Sequence, residues 1–158
     1  TITEEVKNLM SVSEPYCLNQ QVVVMNADKV ADYTTEESIA GLNFAVENGS
    51  AGAECLDALN ISYIACDTQA KALMEVASGS VDACVIDLLM AGAMIGEGTS
   101  YPDLATAVAL SEENYGVGFR QGSDLLDAFT SFWKEAYDAG TVMSTAETYG
   151  IAQNIIEK

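Results

Sequence analysis

The chain has 158 residues, of which 49% are hydrophobic and 19% charged, so it can bury a core and does not have the composition of a disordered chain. Its formal net charge of −18, with only six basic residues, argues against nucleic-acid binding because such a field repels phosphate backbones. The sequence has no histidine, which removes the commonest general base and zinc ligand, and no apolar run of the roughly 18 residues that a membrane span needs.

The first part of the chain predicts strands and helices in alternation. β-branched and apolar runs bounded by polar residues indicate strands at 20–28, 42–49, 61–67 and 82–88. Capping residues (Thr34 or Thr35 for the first), helical spacing and glycine stops indicate helices at 34–41, 50–59, 68–79 and 89–98. This order predicts a mainly parallel sheet with helices on both faces.

After Gly98 the predicted order changes to two strands, two helices and a tail. The polar sequence SEEN separates the two strands, and Ser123 is the predicted cap of the first helix. These elements cover 103–110, 115–122, 123–140, 141–149 and 151–158, the tail being a short helix or a loose end. The longer helix has an apolar face formed by Leu126, Phe129, Trp133, Ala136 and Tyr137.

Polar groups follow two of the predicted strands. Asp87 comes where a buried strand should end, and the sequence ENGSAG places a turn and Ser50 before a helix, with Gly49 allowing close backbone approach. Ligands bind at the carboxyl ends of strands in open parallel sheets. Helix N-terminal amides favour an anion and Asp87 would accept an ammonium, so the pair suits an amino acid. Two plainer alternatives stay open: Asp87 could cap the next helix, and Asn48-Gly49-Ser50 could be an ordinary turn and cap.

The four cysteines lack CxxC spacing and do not indicate a metal cluster. Cys17 and Cys84 lie in apolar, strand-like sequence and are predicted to be buried thiols. Cys55 and Cys66 would pair only if a helix end and a strand end meet, so both a disulfide and two free thiols stay open.

Four stretches of the chain carry motifs of a known family. Ile2-Thr3-Glu4-Glu5 and Ser13-Glu14-Pro15-Tyr16 match its "(S/T)-I-T-x-x-R" and "F-S-x-P-Y" stretches, and AVENGSAGAE resembles its strand-to-helix loop. The most specific match is ALMEVASGSVDACVID, which resembles the signature "aL..G.vDa...D". The chain therefore resembles the extracellular amino-acid-binding proteins of ABC importers, and its closing strand and terminal helices extend the resemblance over nearly its whole length.

The resemblance implies a fold and a set of ligand contacts. The fold is the two-lobed type II periplasmic-binding architecture, an α/β fold with a mixed, mostly parallel sheet flanked by helices, which closes on its ligand like a hinge. The implied contacts are Thr1, Glu47, Gly49, Ser50, Ala51 and Asp87. Ser50 and the amide of Ala51 would hold the ligand carboxylate and Asp87 its ammonium. Thr1 matches a first-lobe hydroxyl near the ligand, and Glu47 would lie against the ligand.

The sequence departs from the family at two points. Val6 stands where the family usually has an arginine that clamps the ligand carboxylate, and valine cannot replace that bidentate donor. A ligand with extra positive charge, a neutral ligand and a peptide-like ligand all stay open. The chain also begins where about a third of the family's length should have passed. We therefore expect 20–118 to be a complete second lobe, and 1–19 with 119–158 to be hinge strands and helices of a largely missing first lobe.

An incomplete first lobe has a consequence for its long helix. The face formed by Leu126, Phe129, Trp133 and Tyr137 should pack on a first-lobe sheet. Without that sheet the face would be exposed, so we expect either self-association through it or a rearranged position of the terminal helices.

The leading interpretation is a solute-binding component of an ABC importer, without catalysis and without a cofactor. It would bind an amino acid or related amine and deliver it to a transmembrane permease, outside the cell or in the periplasm, held there by a lipidated N-terminus absent from this chain. One alternative is the ligand-sensing domain of a membrane receptor. Another is a dehydratase-like enzyme on the same fold, for which Glu47, Glu54 and Asp87 are the only acid–base candidates.

Overall fold

A computed structural model describes residues 1–157, so Lys158, the last residue of the predicted 119–158 segment, lies outside the described residues. Contacts divide the chain into two compact units. Unit 1 comprises Thr1–Asn19 and the chain from Glu113 onward, and unit 2 comprises Gln20–Glu112.

Unit 2 contains most of the alternating strands and helices. Its strands are β2 (Cys17–Asn26), β3 (Phe44–Glu47), β4 (Tyr63–Cys66), β5 (Ala83–Asp87) and β6 (Leu104–Tyr115), of which β2 and β6 run across the division into unit 1. Its helices are α2 (Glu36–Ile39), α3 (Ala51–Ala58), α4 (Gln69–Ala77) and α5 (Leu88–Met94), with a short 3-10 turn at Val30–Asp32. Side-chain caps at Thr35, Ser50 and Thr68 begin α2, α3 and α4, which decides between Thr34 and Thr35.

The strands form one mixed sheet in the order β4-β3-β5-β2-β6. β3 is parallel to both β4 and β5, whereas β2 is antiparallel to β5. The α/β class and the mixed sheet flanked by helices are confirmed. The sequence SEEN does not separate two strands as predicted, because it continues β6 as far as Tyr115.

The core of unit 2 lies on both faces of the sheet. Val22 and Val24 of β2 face one apolar cluster with Leu73 of α4, and Val23 and Met25 face a second cluster with other helices. The alternation follows from the two-residue period of a strand, and it explains why the run QVVVM is apolar throughout. The second cluster also holds Ile39 of α2 and Leu56 of α3, so helices cover both faces.

Unit 1 is built from short elements. They are α1 (Glu4–Leu9), β1 (Met10–Val12), β7 (Gly118–Arg120), α6 (Leu125–Asp138), α7 (Thr141–Thr148) and a 3-10 turn at Ala152–Asn154. β1 and β7 form a two-stranded antiparallel sheet. The sequence did not predict α1 or β1, and α6 begins at Leu125 rather than at Ser123, whose hydroxyl accepts the Leu125 N–H at 3.2 Å.

The predicted apolar face of α6 carries an aromatic cluster within unit 1. The ring centroids of Trp133 and Tyr16 lie 5.1 Å apart, and Phe129 stacks on Trp133 at 6.0 Å and meets Phe119 at 5.7 Å. These rings are only half-buried, and no residue of α6 is fully buried. Phe132, on the same helix, is 63% exposed.

Candidate ligand-binding site

Three strand ends meet at one edge of the unit 2 sheet. Because β3, β4 and β5 are parallel, their carboxyl ends at Glu47, Cys66 and Asp87 lie at the same edge. The antiparallel β2 begins there as well, and Gln21 is the register partner of Asp87. This is the edge at which ligands bind in open α/β sheets.

Asp87 is held by two glutamine side chains. Gln21 Nε2 donates to Asp87 Oδ1 and Gln69 Nε2 donates to Asp87 Oδ2, both at 2.7 Å. Gln69 Oε1 accepts the Asp87 main-chain N–H at 3.1 Å. Asp87 occupies the N-cap position of α5, but its side chain makes no capping bond. The alternative prediction, that the Asp87 side chain caps α5, is therefore wrong.

The start of α3 lies beside the same cluster. Gly49 has φ of +69°, a conformation that favours glycine, and Ser50 Oγ accepts the Ala53 N–H at 3.2 Å as the helix cap. Gly52 lies so close to the sheet that a Cβ there would be 3.1 Å from Gln21 Oε1. One glutamine side chain thus reaches from the first turn of α3 to the carboxylate of Asp87. The first amides of a helix have no partners within the helix, and the dipole makes them suited to an anion.

The charge of unit 2 is strongly negative. Fourteen of its residues are acidic and two are basic, Lys29 and Lys71, which gives a formal net charge of −12. At the site edge Glu47 is half-buried and Asp67 is exposed. Lys71 Nζ lies 3.7 Å from Asp67 Oδ2. A cationic ligand is therefore favoured over an anionic one at this edge.

The pKa shifts in unit 2 lie away from that edge or in its core. At the opposite end of β5, the N–H and side-chain amide of Asn43 donate to Asp82 and hold the pKa of that carboxyl below its usual value. Burial raises the pKa of the Cys84 thiol to about 12 and raises the pKa of the Cys66 thiol. None of the four cysteines forms a disulfide in the described part of the chain, so Cys55 and Cys66 are not bonded to each other.

Five of the six predicted contacts lie at one place, and the sixth lies elsewhere in the chain. Glu47, Gly49, Ser50, Ala51 and Asp87 are all at the carboxyl edge of the unit 2 sheet or in the turn that follows it. Thr1 belongs to unit 1, where its hydroxyl donates to Glu113 Oε2 at 2.7 Å. Val6 lies in α1, also in unit 1, and its N–H donates to the hydroxyl of Thr3.

Sequence reasoning missed the two glutamines. Gln21 is 3% exposed, and a polar residue within an apolar strand is the signal that could have found it. Gln69 is the first residue of α4, directly after the turn that leaves β4. Its position relative to Asp87 depends on β3 lying between β4 and β5, which the sequence did not reveal.

Among residues 1–157 no group of three or more cysteine or acidic side chains is arranged to hold a metal ion. No helix in the same range combines the length and the apolar character needed to cross a membrane.

The chain matches solved structures of substrate-binding proteins. A mutant of ArgBP from T. maritima matches with a TM-score of 0.80 and 31% identity, over 94% of this chain and 65% of that chain. Tv2483 bound to L-arginine matches with a TM-score of 0.80 and 25% identity, over 98% of this chain and 65% of that chain. The amino acid ABC transporter substrate-binding protein AbpA from Streptococcus pneumoniae, bound to L-arginine, matches with a TM-score of 0.79 and 21% identity, over 99% and 67%.

These matches define the class of the fold. The chain has a type II periplasmic-binding architecture over part of that fold, and its structural match is to amino-acid ABC transporter substrate-binding proteins, as the sequence motifs indicated. It spans about 65% of the length of the first two proteins. No protein-family model matches the sequence, and no curated sequence matches it with significance.

Proposed function

We propose that the protein binds a cationic amino acid of the arginine class, at the carboxyl edge of the unit 2 sheet, as the solute-binding component of an ABC importer. One observation carries the proposal: Gln21 joins the start of α3, suited to a carboxylate, to the carboxylate of Asp87, suited to an ammonium. An α-amino acid carries both groups on one carbon, so the two subsites need to be only a few ångströms apart.

Charge and similarity support a cationic side chain in the ligand. Glu47, Asp67 and Asp87 place three carboxylates at one edge, and Glu47 was assigned by resemblance to a position against the ligand. Tv2483, at 25% identity, binds L-arginine, and ArgBP from T. maritima is 31% identical. A guanidinium or ammonium at the end of the ligand would be attracted to these carboxylates.

Val6 changes how the ligand carboxylate is held. In place of a bidentate guanidinium, the carboxylate would rely on Ser50 and the amides of Ala51 and Gly52 at the start of α3. We therefore expect the cationic end to supply a large share of the affinity. Decarboxylated or amidated arginine should then bind nearly as well as arginine, which a carboxylate clamp would forbid.

The remaining assignments are part of the same proposal. Residues 20–118 would be the second lobe, 1–19 and 119–158 would belong to the first, and Thr1 would be its ligand contact. The protein would work outside the cell or in the periplasm, with a lipidated N-terminus and a permease as its membrane partner. Self-association through unit 1 stays a prediction. The alternative, a ligand-sensing domain of a membrane receptor, would use the same ligand contacts. It differs from an importer component only in the partner that binds the ligand-bound form.

Catalysis is not part of the proposal. An enzyme on this fold would need an acid or base over the ligand, and the candidates were Glu47, Glu54 and Asp87. Glu54 is exposed in the first turn of α3, and both carboxylate oxygens of Asp87 accept hydrogen bonds from glutamine side chains. A carboxylate held in this way suits steady binding of an ammonium better than proton transfer.

The test is calorimetric titration of the protein with L-arginine, L-lysine, L-glutamine and L-glutamate. We expect arginine and lysine to bind, glutamine to bind at least tenfold more weakly, and glutamate not to bind. Asp87→Asn should weaken arginine binding by about 10- to 100-fold, because it removes one partner of a charge-assisted hydrogen bond. The matched control is Asp103→Asn, an exposed site with the same loss of charge. Equal effects of the two substitutions would refute the site, and preferential binding of glutamate would refute the ligand class.

A further inference from the structure

Gln69, the first residue of α4, makes a two-point contact with Asp87, the last residue of β5. Its Oε1 accepts the Asp87 main-chain N–H at 3.1 Å and its Nε2 donates to Asp87 Oδ2 at 2.7 Å. A carboxamide carries an acceptor on one atom and donors on the other, so only one orientation of Gln69 satisfies both partners. The two hydrogen bonds close a ring that runs from the Asp87 main-chain N through its side chain to Oδ2 and back through the Gln69 amide. Both side-chain torsions of Asp87 lie within this ring.

The backbone around Gln69 is itself fixed. Thr68 Oγ1 caps α4 by accepting the Lys71 N–H at 3.2 Å, and Ala72 and Leu73, three and four residues after Gln69, are fully buried. Gln69 is therefore presented from a helix that cannot shift without disturbing the core. Gln21, which holds the other oxygen of Asp87, is likewise 3% exposed.

We propose that Gln69 is a positioning residue for ligand recognition, which fixes the carboxylate of Asp87 in the orientation that receives the ligand ammonium. The inference rests on the proposed function of Asp87. Gln69 supplies preorganisation: without it, the Asp87 side chain must lose its rotamer freedom when the ligand binds, and the affinity falls by that cost. Because the amide is neutral, it orients the carboxylate without cancelling the charge that attracts the ammonium.

The alternative is a purely structural link between α4 and β5. Such a link would affect stability, but it would change the affinity for ligands with and without an α-ammonium equally. The contrast between L-arginine and its desamino analogue, 5-guanidinopentanoate, therefore separates the two roles. The variant Gln69→Met keeps the length of the side chain and removes both hydrogen bonds.

The experiment is a double-mutant cycle measured by calorimetry on the protein, Gln69→Met, Asp87→Asn and the double variant. We expect Gln69→Met to weaken L-arginine binding by about 3- to 10-fold and to change the binding of the desamino analogue by less than twofold. In the Asp87→Asn background the effect on arginine should disappear, because the two residues act as a unit. The control Gln153→Met removes an exposed glutamine that donates to Gly150 O at 3.2 Å, and it should bind as the unmodified protein does.

A second measurement tests the hydrogen bond between Gln69 and the Asp87 main-chain N–H directly. Hydrogen exchange of the Asp87 amide should accelerate in Gln69→Met and stay unchanged in Gln153→Met, because Gln69 Oε1 accepts that N–H whereas Gln153 donates to Gly150 O. Faster exchange with unchanged arginine affinity, or equal losses for arginine and the desamino analogue, would overturn the positioning role and leave the proposed function intact. If the unmodified protein binds no α-amino acid, the proposed function and this inference both fail.

Discussion

A methyl group added at Gly52 tests both the packing of unit 2 and the site. Gly52 is the second residue of α3, and a Cβ there would lie 2.9 Å from Val85 Cγ1 and 3.2 Å from Val46 Cγ2. Both valines are essentially fully buried, so neither can swing aside into solvent. The same Cβ would lie 3.1 Å from Gln21 Oε1 and would displace the side chain that reaches Asp87.

The expected free-energy change is the difference between two effects. Alanine is favoured over glycine in a helix by about 0.5–1 kcal/mol. Overpacking a dense core by one methyl group costs about 1–3 kcal/mol. We expect Gly52→Ala to lower the free energy of unfolding by about 1–2 kcal/mol. Gly92→Ala is the matched control, because Gly92 lies inside α5 with no atom within 4 Å of its Cβ position, and it should raise stability by about 0.5–1 kcal/mol.

The assay is urea unfolding followed by far-UV circular dichroism, which reports on both units, whereas Trp133 fluorescence would report on unit 1 alone. The two variants should differ by about 2 kcal/mol, which corresponds to about 4–8 °C in melting temperature for a chain of this size. Gly52→Ala should also weaken arginine binding. A Gly52→Ala protein as stable as Gly92→Ala would show that α3 does not lie as close to the sheet as the structure places it.

Three further predictions use the rest of the molecule. The pKa of Asp82 is lowered by Asn43, so this carboxylate should contribute stability above pH 4 that is lost as the pH falls through its folded-state pKa, and Asp82→Asn should flatten the acid limb by about 1 kcal/mol or less in urea unfolding at pH 2–6. Burial raises the pKa of Cys84 to about 12, so iodoacetamide at pH 8 should label Cys55 well before Cys84, and equal rates in mass spectrometry would contradict this burial. Phe132 is 63% exposed on α6, so light scattering should show a concentration-dependent mass that Phe132→Ser reduces, and a monomer at every concentration would exclude self-association there.

The local pattern of the sequence was sufficient for most of the strands and helices between Gln20 and Met94. β-branched runs predicted β2 and β5, and the hydroxyl residues before α3 and α4 predicted caps that the structure contains. The secondary structure of residues 103–122 was harder to predict, because the polar run SEEN resembles a loop when it is considered alone. In the structure it continues β6 as an edge strand of the sheet, and the buried carboxylate of Glu113 accepts a hydrogen bond from the Thr1 hydroxyl.

The candidate site was predictable only in part. Asp87 and the turn through Ser50 could be found because each follows an apolar run in sequence. Gln21 and Gln69 could not be found in this way, since one pairs with Asp87 across antiparallel strands and the other approaches it from the start of α4, which follows β4, two strands from β5 in the sheet. Strand order is set by which helices cover which face, and that is not encoded in the neighbourhood of any single residue.

The charges of the chain explain why a cation would be selected at this edge and not merely attracted to the protein. Lys7, Lys71 and Lys134 each pair with an acidic residue three or four positions away, on their own helix or just before it, so their charges are used locally. Of the site carboxylates, Asp67 pairs with Lys71, whereas Asp87 keeps its attraction for a cation because the amides that hold it are neutral. At physiological ionic strength screening acts over about 8 Å, so the overall charge of −18 affects mainly the rate of encounter and its salt dependence. Affinity and selectivity then depend on the few carboxylates at the edge, and added salt should slow cation binding more than it speeds dissociation.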